Sequence, residues 1–320
     1  MGDAVFRVKK VSKFFRHHQV LRKVNFDIQR GEILGLIGSS GSGKTTLLNV
    51  LVGFLAPEEG AVDFRCSVGG KEAYLDVHQH PTVLKELCGF ASQDPSFYPQ
   101  LTVRENIEYF GSLYSLGSQA LRANTQTLLH LMDLSKAQNL LASNISGGME
   151  RRLDIACALV HNPDVLILDE PTADLDPVLR EHIWEIVRKV NAKGTTVILA
   201  SHHLEELEDF CSRILILRQG KILDLDTPLN LKAKYQRHQE IHLETYPGNY
   251  EKLIPGIKGK EITKVEQRGS TLIIHTDQPQ RVMQEVLELV GKHKEVLVDL
   301  RLWKPSLDDV FLQLYRGMAE

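Results

Sequence analysis

The chain has 320 residues, of which 42% are hydrophobic and 25% charged, with a formal net charge of -3. That length allows one large core plus a small appendage, and the near-neutral balance gives no overall pull toward nucleic acid, whose binders usually carry a basic footprint. No apolar stretch reaches the roughly 18 residues that a membrane-crossing helix needs, the N-terminus lacks the basic-then-apolar layout of a signal peptide, and the four scattered cysteines form no Cys-x-x-Cys pair that would point to zinc.

In chain order, residues 5–11 and 20–28 alternate apolar and polar side chains in part and read as strands. Residues 33–37 (Ile-Leu-Gly-Leu-Ile) are a short apolar run of the kind buried on both faces of a sheet. The glycine-rich loop Gly38-Ser39-Ser40-Gly41-Ser42-Gly43-Lys44-Thr45 follows, and residues 46–54 continue as a helix. From 101 to 134 the pattern is helical, with Thr102 and Glu105 spaced as a capping box, and a further helix is expected just after Ser146. Strand-like runs recur at 165–168, 195–200 and 214–217, with an amphipathic helix over 178–190 between the first two. Alternating helices and buried strands predict an α/β fold with a mostly parallel sheet, the opening strands forming a separate antiparallel layer. After Pro228 the style changes: strands at 239–245, 261–266, 271–276 and 295–303, and helices at 280–290 and 306–315, predict a small α+β appendage starting near residue 235.

The glycine loop sits between a buried strand and a helix, the context a P-loop requires. Glycines let the main chain curl so that successive N–H groups converge on phosphate oxygens at a helix N-terminus. Lys44 then neutralises phosphate charge, Thr45 offers a hydroxyl to Mg²⁺, and Thr46 opens the helix behind them. At the end of the apolar run 165–168, Asp169 is placed to hold Mg²⁺, and Glu170 to polarise a water. A second glycine element, Ser146-Gly147-Gly148, opens another helix and is a further place for an anion.

The order P-loop, Gln93, Ser146-Gly147-Gly148, Asp169-Glu170, His202 resembles the ATP-binding subunits of ABC transporters over roughly the first 230 residues. The resemblance implies a P-loop NTPase fold of ABC type over residues 1–230, with a helical subdomain at about 95–160, and a small α+β accessory domain over 235–320. It implies ATP and Mg²⁺ as cofactors. It makes Phe15 the aromatic on which adenine stacks, with Phe14 as the rival that strand alternation does not eliminate. It makes Gln93 the glutamine that touches Mg²⁺ and the attacking water, and His202 the switch histidine at the γ-phosphate. Thr172-Ala173-Asp174-Leu175-Asp176 resembles the loop that signals across a dimer, with Asp176 its key acid. Two residues depart from the family's pattern: Met149 stands where the signature usually has Gln, and Asp174 where the dimer loop usually has a small residue.

In this family two such domains sandwich two ATP molecules head to tail, so Lys44, Thr45 and Asp169 of one copy are expected to face Ser146 and Gly148 of the other. The implied partners are a second ATP-binding subunit and a separate integral-membrane permease, which holds the chain on the cytoplasmic side of the membrane. The stretch 99–106 (Pro-Gln-Leu-Thr-Val-Arg-Glu-Asn) and the tail 305–312 (Pro-Ser-Leu-Asp-Asp-Val-Phe-Leu) resemble the branch that exports drugs, lipids or polymers. The competing readings are a soluble ATPase of the same family acting on ribosomes or nucleic acid, and a regulatory protein that binds ATP without turnover.

Overall fold

The computed structural model describes residues 3–173, 175–202, 204–235, 239–257, 261–303 and 306–316, apart from the side chains of 68 and 312–316. The chain divides into two compact units, Met1–Pro228 and Leu229–Glu320.

The first unit opens with β1 (Ala4–Phe15) and β2 (His18–Gln29), then β3 (Ile33–Ile37) and helix α1 (Lys44–Leu51). A hairpin, β4 (Glu59–Val68) and β5 (Lys71–Asp76), is followed by α2 (Pro81–Leu87) and β6 (Cys88–Ala91). Helices α3 (Val103–Leu113), α4 (Ser118–Leu131) and α5 (Gly147–Leu159) come next. The unit closes with β7 (Val165–Asp169), α6 (Pro177–Asn191), β8 (Thr196–Ala200), α7 (Leu204–Phe210), β9 (Arg213–Arg218) and β10 (Lys221–Asp226).

Two sheets build this unit. One is antiparallel, in the order β2-β1-β4-β5; the other runs β10-β9-β3-β8-β7-β6, parallel except for its β10 edge. Every residue of β3, β7 and β8 is buried, as their unbroken apolar runs require. Leu47, Leu48, Val50 and Leu51 of α1 join Phe6, Ile28 and Phe64 of the antiparallel sheet and Leu34, Ile167 and Leu215 of the parallel one in a single core. The α/β expectation therefore stands, with the antiparallel layer larger than the sequence implies. The hairpin β4–β5, α2 and β6 have no clean period to announce them. β6 is held by contact instead: a Cβ on Gly89 would lie 2.1 Å from the Ala158 carbonyl oxygen, so only glycine lets it approach α5 this closely.

The helical stretch expected over 101–134 is two helices, broken at Ser115, whose φ of 55° leaves the helical region. Thr102 and Glu105 do form the capping box at the start of α3. The four cysteines are free and buried, and burial pushes each thiol up, those of Cys88, Cys157 and Cys211 well above the ordinary range. Among the described residues no helix is long and apolar enough to cross a membrane.

In the second unit, helix α8 (Pro228–Tyr235), which starts on the last residue of the first, precedes β11 (Gln239–Tyr246) and the short α9 (Tyr250–Leu253). Then come β12 (Ile262–Arg268), β13 (Thr271–Thr276), α10 (Pro279–Lys292), β14 (Val296–Trp303) and α11 (Leu307–Arg316). The four strands form one antiparallel sheet, β12-β13-β11-β14, and Val282, Val286 and Val290 of α10 pack on Ile241, Leu243, Leu272 and Ile274. Ser306 caps α11, accepting from the Asp309 N–H at 3.3 Å while its own N–H donates to Asp309 Oδ2 at 2.9 Å.

Candidate functional site

β3 delivers the chain into the glycine loop at the edge of a cavity of about 570 Å³. Gly43, the residue before α1, has φ 107°, and a Cβ there would stand 3.0 Å from Leu21 Cδ2. Gly38 is tighter still, since a Cβ would fall 2.3 Å from the Leu217 carbonyl oxygen. The loop is thus a main-chain cradle that side chains would break. Ser40 to Thr46 line the cavity, and the Lys44 ammonium donates to the Gly38 carbonyl at 2.8 Å. The N-terminus of α1 opens into the same space, with no acidic residue in its first turn, so its partial positive charge faces the cavity uncompensated.

The opposite wall comes from the C-terminal ends of the parallel strands, the usual place for a ligand in an open α/β sheet. Gln93, just after β6, Glu170, just after β7, and His202, just after β8, all line the cavity. Glu170 adopts φ 50°, a left-handed conformation that costs a non-glycine residue about 1–3 kcal/mol. Its N–H is held by the Ala200 carbonyl at 2.9 Å, and its Oε2 lies 2.7 Å from His202 Nδ1. Asp169, 2% exposed, sits behind it at the end of β7. Burial pushes its carboxyl up, with the Glu170 charge adding to that; the Thr45 hydrogen bond and the charges of Lys44 and Arg151 pull the other way. Its Oδ1 is buried without a hydrogen-bond partner.

Phe15, at the end of β1, is 46% exposed and does not line the cavity. Its cross-strand neighbour His18 does, with Val20, and neither was singled out in the sequence. Phe14 is half-buried. Gly38, Ser39 and Asp169 adjoin the cavity through their neighbours rather than lining it.

Ser146, Gly147 and Gly148 are not brought to the cavity. Ser146 stands before α5 without a side-chain capping bond, and it and Gly147 are exposed. Gly148 is buried, and a Cβ on it would meet Leu179 Cδ1 at 2.5 Å. Asp176 also lies away from the cavity: its Oδ1 accepts the N–H groups of Val178 and Leu179, at 2.9 and 3.0 Å, capping α6. Asp174 and His203 lie outside the described residues.

The sequence reading also missed Arg151. Placed one turn into α5, 7% exposed, it donates to the carbonyls of Ser92 at 2.5 Å, Asp169 at 2.6 Å and Pro171 at 3.1 Å. One planar guanidinium therefore ties together the segments that carry Gln93, Asp169 and Glu170.

The family model described as ABC transporter matches residues 21–173. The Nod factor export ATP-binding protein I of Rhizobium sp. (strain N33) is 32% identical over 316 residues, 98% of each chain. The daunorubicin resistance ATP-binding protein DrrA2 of Streptomyces coeruleorubidus is also 32% identical over 316 residues, 98% of this chain and 96% of that one. The linearmycin resistance ATP-binding protein LnrL of Bacillus subtilis (strain 168) is 29% identical over 314 residues, 97% of this chain and 98% of that one. Among solved structures, the dimeric post-hydrolysis ATP-binding cassette MJ0796 bound to ADP and Pi is 28% identical with a TM-score of 0.61, covering 69% of this chain and 98% of that one.

Proposed function

We propose, because the chain belongs to the ABC transporter family of ATP-binding subunits and is an ATPase, that it energises export through a separate membrane permease. The observation that carries the reading is the separation of its two glycine elements. Lys44 and Glu170 line one cavity, while Ser146 and Gly147 stand exposed elsewhere on the same unit. Each is half of a site, and a second copy turned head to tail completes both.

In such a pair the P-loop N–H groups and Lys44 hold the ATP phosphates, and the partner copy's signature turn closes over the γ-phosphate from the other side. Glu170, oriented by His202 Nδ1 at 2.7 Å, accepts the proton of the attacking water. Gln93, which lines the cavity, meets the attacking water there and senses the state of the permease. Phe15, exposed and paired across the hairpin with the cavity-lining His18, offers its ring to adenine. Asp176 acts across the dimer by holding the start of α6, which packs under Gly148.

The residues fit Mg²⁺. The buried, unpartnered Oδ1 of Asp169 is an acceptor without a donor, and Thr45 and Gln93 supply further oxygens. Bound there, the ion screens phosphate charge.

The unit Met1–Pro228 is the motor domain, with α3, α4 and α5 as its helical subdomain, and Leu229–Glu320 is an accessory domain. The export assignment rests on relatives named for Nod factor export and for drug resistance that match nearly the whole length, second unit included. The chain sits peripherally on the membrane through the permease. Fractionation tests this: the chain should sediment with membranes and copurify with an integral-membrane protein after detergent extraction. Recovery with ribosomes instead, or salt-sensitive DNA binding, would overturn it.

A further inference from the structure

We infer that Glu206 is a positioning residue for ATP hydrolysis, a bridge that fixes the segment carrying Glu170 against the segment carrying His202. It rests on the reading of Glu170 and His202 as the hydrolytic pair. Glu206 lies on α7, four residues after His202, with its side chain 19% exposed. Its Oε2 accepts from Thr172 Oγ1 at 3.0 Å and from Trp184 Nε1 at 2.9 Å, and its Oε1 lies 3.5 Å from Arg180 Nη1. Thr172 is two residues after Glu170 and fully buried. Arg180 in turn donates from Nε to the Leu175 carbonyl at 2.8 Å. A single carboxylate thus gathers the loop after β7, helix α6 and helix α7.

The reacting pair is itself joined by one contact, Glu170 Oε2 to His202 Nδ1 at 2.7 Å. Thr172 and Glu206 form a second link between the same two segments. With both made, Glu170, Thr172, Glu206 and His202 close a ring in which neither segment slides without stretching a bond. Hydrogen bonds to an ionised carboxylate are about twice as strong as neutral ones, which suits the second link to this task. The Glu206 side is firmly anchored, because Trp184 also stacks on Phe210 of α7, centroids 4.6 Å apart and planes at 24°. Thr172 is therefore where the link can be cut while α6 stays packed on α7. Glu206 does not line the cavity, so its effect falls on the geometry of the water-activating pair and not on nucleotide affinity.

The test uses the full chain with Thr172→Val, which removes the donor at nearly constant volume, Thr172→Ser, which keeps it, and Glu206→Gln, which removes the charge. Steady-state hydrolysis should show kcat lowered about tenfold or more in Thr172→Val and Glu206→Gln, since small misplacements of catalytic groups are costly. KM for ATP should stay within about twofold, and Thr172→Ser should recover most of kcat. A merely structural role predicts lower thermal stability in all three with kcat unchanged for the folded fraction; that result, or a loss that Thr172→Ser fails to rescue, overturns the proposal. If Glu170→Gln and His202→Ala hydrolyse at the parent rate, the hydrolytic assignment fails and the bridge with it; if they lose hydrolysis while Thr172→Val and Glu206→Gln keep the parent kcat, the bridge alone fails.

Discussion

The guanidinium of Arg151 donates to the main-chain carbonyl of Asp169 at 2.6 Å, so the helix that starts after exposed Ser146 grips the end of the strand that leads into Glu170. The same side chain reaches Ser92, next to Gln93. Replacing it with alanine leaves buried carbonyls without a donor and Asp154, 3.6 Å away, without its cation. Arg151→Ala should lose about 3–5 kcal/mol of stability, the usual cost of breaking a buried charged pair, and hydrolysis should fall with it. Arg151→Lys should recover little, because one ammonium does not span three separated carbonyls. Chemical denaturation and phosphate release are the measurements.

Glu170→Gln should lower hydrolysis by about 10²–10⁴-fold, the range for a lost general base, while ATP binding persists. The trapped nucleotide should then hold two chains together. Size-exclusion chromatography with and without ATP reads the dimer; an unchanged rate would remove Glu170 from its role.

Gly148→Ala puts a methyl where Leu179 Cδ1 stands, 2.5 Å away. Overpacking of this kind costs about 1–3 kcal/mol. The double variant with Leu179→Ala should be more stable than the sum of the two single changes, because the contact is the shared cause. Thermal melts of the four proteins give the coupling.

His161 stacks on Tyr114 with ring centroids 3.7 Å apart, and burial holds its pKa down at about 4. The unfolded chain binds a proton there near pH 6.5 and the folded chain does not, so this group's stabilisation is complete above pH 6.5 and is lost as pH falls toward 4. Asp169 and Asp154, whose carboxyls burial pushes up, act in the opposite direction on acidification. The comparison that isolates His161 is wild type against His161→Phe: the difference in Tm between pH 7 and pH 4.5 should be smaller in the variant.

Much of this was legible in the sequence for a definite reason. β3, β7 and β8 announce themselves because burial on both faces demands an uninterrupted apolar run, and the P-loop because its curl demands glycines in fixed places. What stayed hidden depends on contacts between distant segments. Arg151 looks like any surface charge on a helix until Ser92, Asp169 and Pro171 close around it. β6 is four residues long and exists because β7 pairs with it. His18 reaches the cavity only because the β1–β2 hairpin folds it there. The sequence resemblance makes Asp176 an acid expected to act across a dimer, whereas its bond to the start of α6 depends on the path of the loop.

The four buried thiols have a practical side. With Cys66, Cys88, Cys157 and Cys211 shut away and burial holding each thiol in its protonated, unreactive form, the folded protein offers maleimides almost nothing to modify. A single thiol introduced at exposed Ser146 is then the one reactive sulfur on the surface, and a fluorophore or spin label attached there tests whether a second copy approaches without any native cysteine having to be removed first.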